Sequence, residues 1–173
     1  MGHTRAQALA AIEEGHREVA ELLASIGDED LARPGTIGDG DWSAKDLAVH
    51  LAEWESHAVR AIEAWRRGER PDVLDLTGDA IETANAEAVA AHRPHPPRAA
   101  RRRFESAYGD LVAAIDAVTN DEWDAPLAFP TPRPMTLGDL VGGVLAGPAG
   151  EFDHAADHLD DLRAYAGSLR TKA

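Results

Sequence analysis

Apolar residues recur every three to four positions through four long stretches of this chain, and nowhere do they alternate with polar residues over a useful length. That spacing is the period of one helix face, not of a strand, and it restricts the chain to an all-α fold. The first stretch runs from Thr4 to Ile26, carries Leu9, Ile12, Val19, Leu22 and Leu23, and stops at Gly27. A polar, glycine-rich loop is expected over residues 28–41. The second helix has a clear start signal: Ser43 as the cap, Asp46 three positions on, and Trp42 with Leu47 as a hydrophobic staple. Its stripe runs through Leu47, Leu51, Trp54, Ala58, Ile62 and Trp65 and ends at Gly68. The third helix is predicted in two pieces, 78–92 and 98–118, because Pro94, Pro96 and Pro97 lack amide protons and clash with the preceding turn. An irregular, proline-rich loop follows over 119–134. The last helix begins near Thr136, with a kink near Pro148 that opens its second half. Four such helices, with connectors of this length, imply an antiparallel four-helix bundle, read as a single domain over residues 1–173.

The chain contains no cysteine, which excludes disulfides, zinc–thiolate clusters, iron–sulfur centres and a thiol nucleophile of its own. Its net charge of −14 argues against nucleic acid and anionic membranes as partners. The one basic run, Arg101-Arg102-Arg103, reads as a solvated helix face, since no aromatic residues interleave with it. No apolar run approaches the roughly 20 residues of a membrane span, and the first residues lack the apolar core of a signal peptide. The expected location is cytoplasmic.

No nucleophile elbow, P-loop or dinucleotide fingerprint is present. The histidines carry more information. His154 and His158 are four residues apart, a spacing that puts two rings on one helix face about 5–6 Å apart at the Cβ atoms. That suits two imidazoles closing on one metal ion. His50 stands one turn after Leu47 and one turn before Trp54, on the inward stripe of the second helix. An unsatisfied buried polar group costs about 1–3 kcal/mol, and a shared metal gives three buried imidazoles a common partner. The expectation is a single site formed by His50, His154 and His158. Glu53, Asp153 and Asp157 are the carboxylates nearest in sequence to orient these ligands. His57, one turn beyond Trp54, is a candidate base or additional ligand. His3, His16, His92 and His95 are expected at the surface, and Trp54 and Trp65 in the core.

The segment Trp42-Ser43-Ala44-Lys45-Asp46-Leu47-Ala48-Val49-His50-Leu51-Ala52-Glu53-Trp54 resembles the second-helix signature of the DinB-like (DinB/YfiT, DfsB-type) four-helix-bundle metalloproteins. That family carries one histidine on this helix and an H-x-x-x-H pair on the last, which His50, His154 and His158 match one for one. Asn85 and the Asp121-Glu122-Trp123 turn also resemble the family. The resemblance implies a divalent metal ion, nickel or zinc, bound by the three histidines. It further implies a thiol-dependent transferase or isomerase, or a hydrolase, acting on a small reactive molecule. The thiol would be a low-molecular-weight cosubstrate, and the resemblance also allows a homodimer. One departure concerns the turns before the pair, where relatives carry an Asn and a hydroxyl residue and this chain reads Gly147-Pro148-Ala149-Gly150. Three neutral imidazoles leave a divalent ion with open coordination positions, the layout of a catalytic centre. The alternative is a non-catalytic bundle that binds a small molecule or a metal.

Overall fold

The computed structural model describes residues 2–38, 40–148 and 150–171, and among these it contains helices and no strand. Two isolated bridges, Pro126 to Thr136 and Gly147 to Gly150, tie loops together. The all-α expectation holds: the described residues form nine α-helices, seven within the expected helical stretches and two within the expected loops.

The helix α1 spans Arg5–Ser25 and begins at Thr4, which forms a reciprocal capping box with Gln7. It turns Ala8, Ile12, Gly15, His16, Val19 and Leu23 inward. Its last carbonyls are satisfied from another helix. The Arg101 guanidinium donates to the carbonyls of Leu23 and Ile26 and to the Asp28 carboxylate. Arg101 is therefore a helix cap in trans, and Arg103 pairs with Glu53 at 2.5 Å. Within the basic run, only Arg102 is exposed as the solvated-face reading expected.

The loop expected over 28–41 contains a short helix, α2, at Asp28–Leu31. Asp28, Glu29 and Asp30 suit the positive end of the helix dipole, and Leu31 is fully buried. Neither signal is periodic over more than one turn. The central helix α3, Ala44–Arg66, starts where the sequence indicated, with Ser43 and Asp46 bonded reciprocally. More of its surface is buried than a solvent-facing helix allows, and its widest contact is with α5.

A 3₁₀ turn at Asp72–Asp75 leads to α4, Asp79–His92, which buries only Val89 and lies at the flank. The prolines break the third stretch as expected, and α5 spans Pro97–Asp116 with Pro97 at its first turn. Lys45 is buried and donates to the Arg93 and His95 carbonyls, which satisfies the end of α4. A short helix α6, Asn120–Trp123, lies inside the loop expected over 119–134, capped by Thr119 and anchored by buried Trp123.

The last stretch departs most from expectation. It is not one kinked helix but three pieces: α7 at Leu137–Val144, α8 at His154–Asp157 and α9 at Leu159–Arg170. Pro148 does not open the second half, since α8 starts at His154; Ala149 lies outside the described residues.

Gly138 on α7 marks a contact no other residue permits. A Cβ there would lie 2.5 Å from the Trp123 indole nitrogen, which itself donates to the His3 carbonyl. Gly138→Ala is expected to destabilise the fold by about 1–3 kcal/mol through overpacking, read by urea denaturation; an unchanged midpoint contradicts this packing.

Candidate metal centre

His50 lies in the buried middle of the first half of α3 and is 6% exposed. His154 opens α8, and His158 is both the last residue of its turn and the cap of α9. The break in the last helix therefore leaves the pair within one turn, and the i, i+4 relation survives. His50 Nε2 approaches His154 Nε2 at 3.0 Å. One ring nitrogen from each of His50, His154 and His158 lies within 4.8 Å of the other two.

The loop between α7 and α8 sets this convergence. Gly147 and Gly150 exchange two backbone hydrogen bonds at 3.0 and 3.1 Å. The His154 amide then donates to the Leu145 carbonyl at 3.1 Å. A Cβ on Gly147 would lie 2.8 Å from the Asp153 carbonyl oxygen, so the loop admits no larger residue without moving α8. Phe152 holds φ at 62°, a left-handed conformation that costs a bulky side chain energy. Its burial beside Trp123 offsets that cost.

Burial pulls the His50 imidazole down to about 3 and His154 down to about 4, with neighbouring imidazoles adding to the effect. Burial also lowers His158, against the opposing charges of Asp157 and Asp161. All three rings are neutral at pH 7 and offer lone pairs. A proton shared between His50 and His154 satisfies one facing pair of nitrogens and leaves the third without a partner. A divalent cation fits the set of three.

The three histidines line a cavity of about 620 Å³. Leu74, Leu76, Ile81, Met135, Leu140 and Val144 give it apolar walls. Trp54 is half-buried and lines the cavity, and its indole nitrogen donates to Asn85 Oδ1 at 2.9 Å. Asn85 lines the same cavity as His50, and its side chain opposes, as the smallest influence, the burial that lowers the His50 pKa. Asn85 thus ties α4 to the histidine-bearing face of α3.

The remaining candidates fall in different places. Asp157 lines the cavity. Asp153 precedes α8 and takes the Asp157 amide on its carbonyl. Glu53 is committed to Arg103 and Arg60; burial pushes its carboxyl up, but the two guanidinium groups hold it below the usual range. His57 opens onto a separate recess with Arg60 and Glu63, and burial lowers its pKa.

Two buried groups escaped the sequence reading. His16, expected at the surface, is 7% exposed and stacks on Phe104 and Tyr108 with centroids 4.4 and 3.8 Å away. Its position four after Ile12 and three before Val19 carried that information. Glu55, four residues after Leu51, is buried, and its Oε2 has no hydrogen-bond partner. Burial, with the charge of Glu105, pushes its carboxyl up to about 8.

Fold and site together define a helical domain of the DinB/YfiT-like class with a three-histidine cluster. Within that class, the chain belongs to the family described as the mycothiol maleylpyruvate isomerase N-terminal domain, which it matches over residues 12–146. The match includes His50 and ends before the segment that supplies His154 and His158. No curated protein matches the sequence. Among solved structures, the fold is similar to an uncharacterised protein from Escherichia coli UTI89, with a TM-score of 0.78 at 16% identity over 98% of this chain and 96% of the other. It is also similar to the mycothiol-dependent maleylpyruvate isomerase, with a TM-score of 0.65 at 14% identity over 95% of this chain; this chain spans 60% of that protein. The colibactin self-resistance protein ClbS, solved in complex with a dsDNA, gives a TM-score of 0.65 at 14% identity, over 97% and 94% of the two chains. At these identities the likeness establishes the fold. No helix among the described residues is long and apolar enough to cross a membrane.

Glu55 generates a pH signature. Its carboxyl is protonated in the folded chain and ionised in the unfolded chain between about 4.5 and 8, so stability falls as pH rises through that window. The buried histidines, whose pKa burial lowers from 6.5, run the other way and gain stability as pH rises through 6.5, so the Glu55 contribution is read as a difference against a variant that keeps the histidines. Between pH 6.5 and 8 the melting temperature of metal-free wild type is expected to fall relative to that of Glu55→Gln; a difference that does not change with pH contradicts the assignment.

Proposed function

We propose that this chain is a divalent-metal-dependent enzyme in which His50, His154 and His158 hold a nickel or zinc ion within a single domain spanning residues 1–173. The reaction is a transfer or isomerisation of a small reactive molecule assisted by a low-molecular-weight thiol. The observation that carries this reading is the convergence of three neutral imidazole nitrogens within 4.8 Å on an apolar cavity. A closed structural centre uses four protein ligands, whereas three leave room for substrate. An ion held there supplies Lewis acidity, stabilising negative charge that develops on a thiol or an electrophile.

The chain's own residues do the rest. Asn85 holds the Trp54 indole, whose ring meets His50 edge-on with centroids 6.5 Å apart on the cavity side. The aliphatic walls make the surroundings of the imidazole nitrogens less polar than water, which strengthens electrostatic interactions there. A cavity of about 620 Å³ accommodates a small molecule beside a thiol tail. The thiol is a cosubstrate because the chain has no cysteine. Membership of a family named for a mycothiol-dependent enzyme supports thiol chemistry over hydrolysis. The net charge of −14 supports a small molecule rather than a nucleic acid as the partner.

The test is metal analysis of the purified chain beside His50→Ala and His154→Ala. The wild type is expected to retain one ion per chain, and each variant to lose it; equal metal content in all three overturns the reading. Adding a small thiol to cobalt-loaded protein is expected to give a sulfur-to-metal charge-transfer band. An unchanged spectrum removes thiol chemistry and leaves hydrolysis.

A further inference from the structure

Behind the three-histidine cavity lies a second, much smaller one of about 30 Å³. Ile12, Leu51, Leu111, Leu145 and Phe152 give it apolar walls, and two polar side chains, Glu55 and His154, also line it. His154 therefore lines both cavities. Its Nε2 is engaged with His50, which leaves Nδ1 as the ring nitrogen available for another partner. Glu55 is 8% exposed, and its Oε2 is a buried carboxyl oxygen without a hydrogen bond.

A buried polar atom left unpaired costs about 1–3 kcal/mol, and an apolar residue would remove that cost. The small cavity is larger than the roughly 10–15 Å³ a single water needs. Metal-ligating histidines hold their second ring nitrogen on a carboxylate, carbonyl or water, which fixes the tautomer and the ring orientation. Of the carboxylates adjacent to the centre in sequence, Glu53 is occupied by Arg60 and Arg103. Asp157 lines only the larger cavity of the two.

We propose that Glu55 is the positioning residue of the centre: its carboxyl sets the His154 ring through a hydrogen bond relayed across the small cavity by one water. The proton then resides on Nδ1, and Nε2 presents its lone pair beside His50 and His158. This rests on the reading of the three histidines as a metal centre.

Zinc affinity of the full chain is measured by competition with a chromophoric chelator for the wild type, Glu55→Gln and Glu55→Leu. The His154 Nδ1–H resonance is followed by NMR in the zinc-loaded proteins. Glu55→Leu is expected to weaken zinc binding by about 10–100-fold, with Glu55→Gln within about threefold of wild type because its amide still bonds the water. The Nδ1–H signal is expected to shift in Glu55→Gln and to be lost to exchange in Glu55→Leu. A merely structural Glu55 predicts a raised melting temperature in Glu55→Leu, unchanged zinc affinity and an unmoved resonance, and that result overturns the proposal. If Glu55→Leu does not fold, an unmoved Nδ1–H resonance in Glu55→Gln overturns it alone. A wild-type chain that binds no zinc overturns the metal reading itself, whereas tight wild-type binding matched by Glu55→Leu removes only the role of Glu55.

Discussion

The approach of His50 Nε2 to His154 Nε2 at 3.0 Å is the contact around which the rest of the site is arranged. Two buried imidazoles stay this close only when they are neutral, and burial keeps them so by penalising the charged form. The geometry has to be supported from outside. The Ser43–Asp46 capping box and the burial of α3 fix His50. On the other side, the Gly147–Gly150 bridge and the buried Phe152 return the chain so that α8 faces α3. Gly15 on α1 contributes by absence of a side chain: a Cβ there would lie 3.0 Å from the Ala155 methyl on α8.

The parts of this arrangement written in local signals were legible in the sequence. The start of α3 was readable from Trp42, Ser43 and Asp46, and the inward direction of His50 from its place between Leu47 and Trp54. The proline break between α4 and α5 was readable because proline acts on its own backbone. The loop from 145 to 153 was not, since it is held by Phe152 against Trp123 and by a glycine that must clear the Asp153 carbonyl. Those contacts join residues whose relation exists only after folding. The short helices α2 and α6 hid for a related reason: a single turn anchored by Leu31 or Trp123 has no period to detect. His16 and Glu55 differ again. Both stand on apolar stripes, but a charged or titratable letter there reads as solvent-facing until the neighbouring helices close over it.

The comparison with known folds sharpens what the site must explain. One helical architecture is shared with a thiol-dependent isomerase and with a protein solved on DNA, so the fold alone does not choose a chemistry. The choice lies in what this chain places in its cavity: neutral nitrogen donors, aliphatic walls and one tethering amide from Asn85.

The central claim is that three imidazoles hold one open metal ion. X-ray absorption spectroscopy of the zinc-loaded chain tests it most directly. The account predicts three histidine nitrogens at about 2.0–2.1 Å and at least one exchangeable light ligand in the first coordination sphere. A sphere closed by four protein ligands, or one without imidazole scattering, would contradict it.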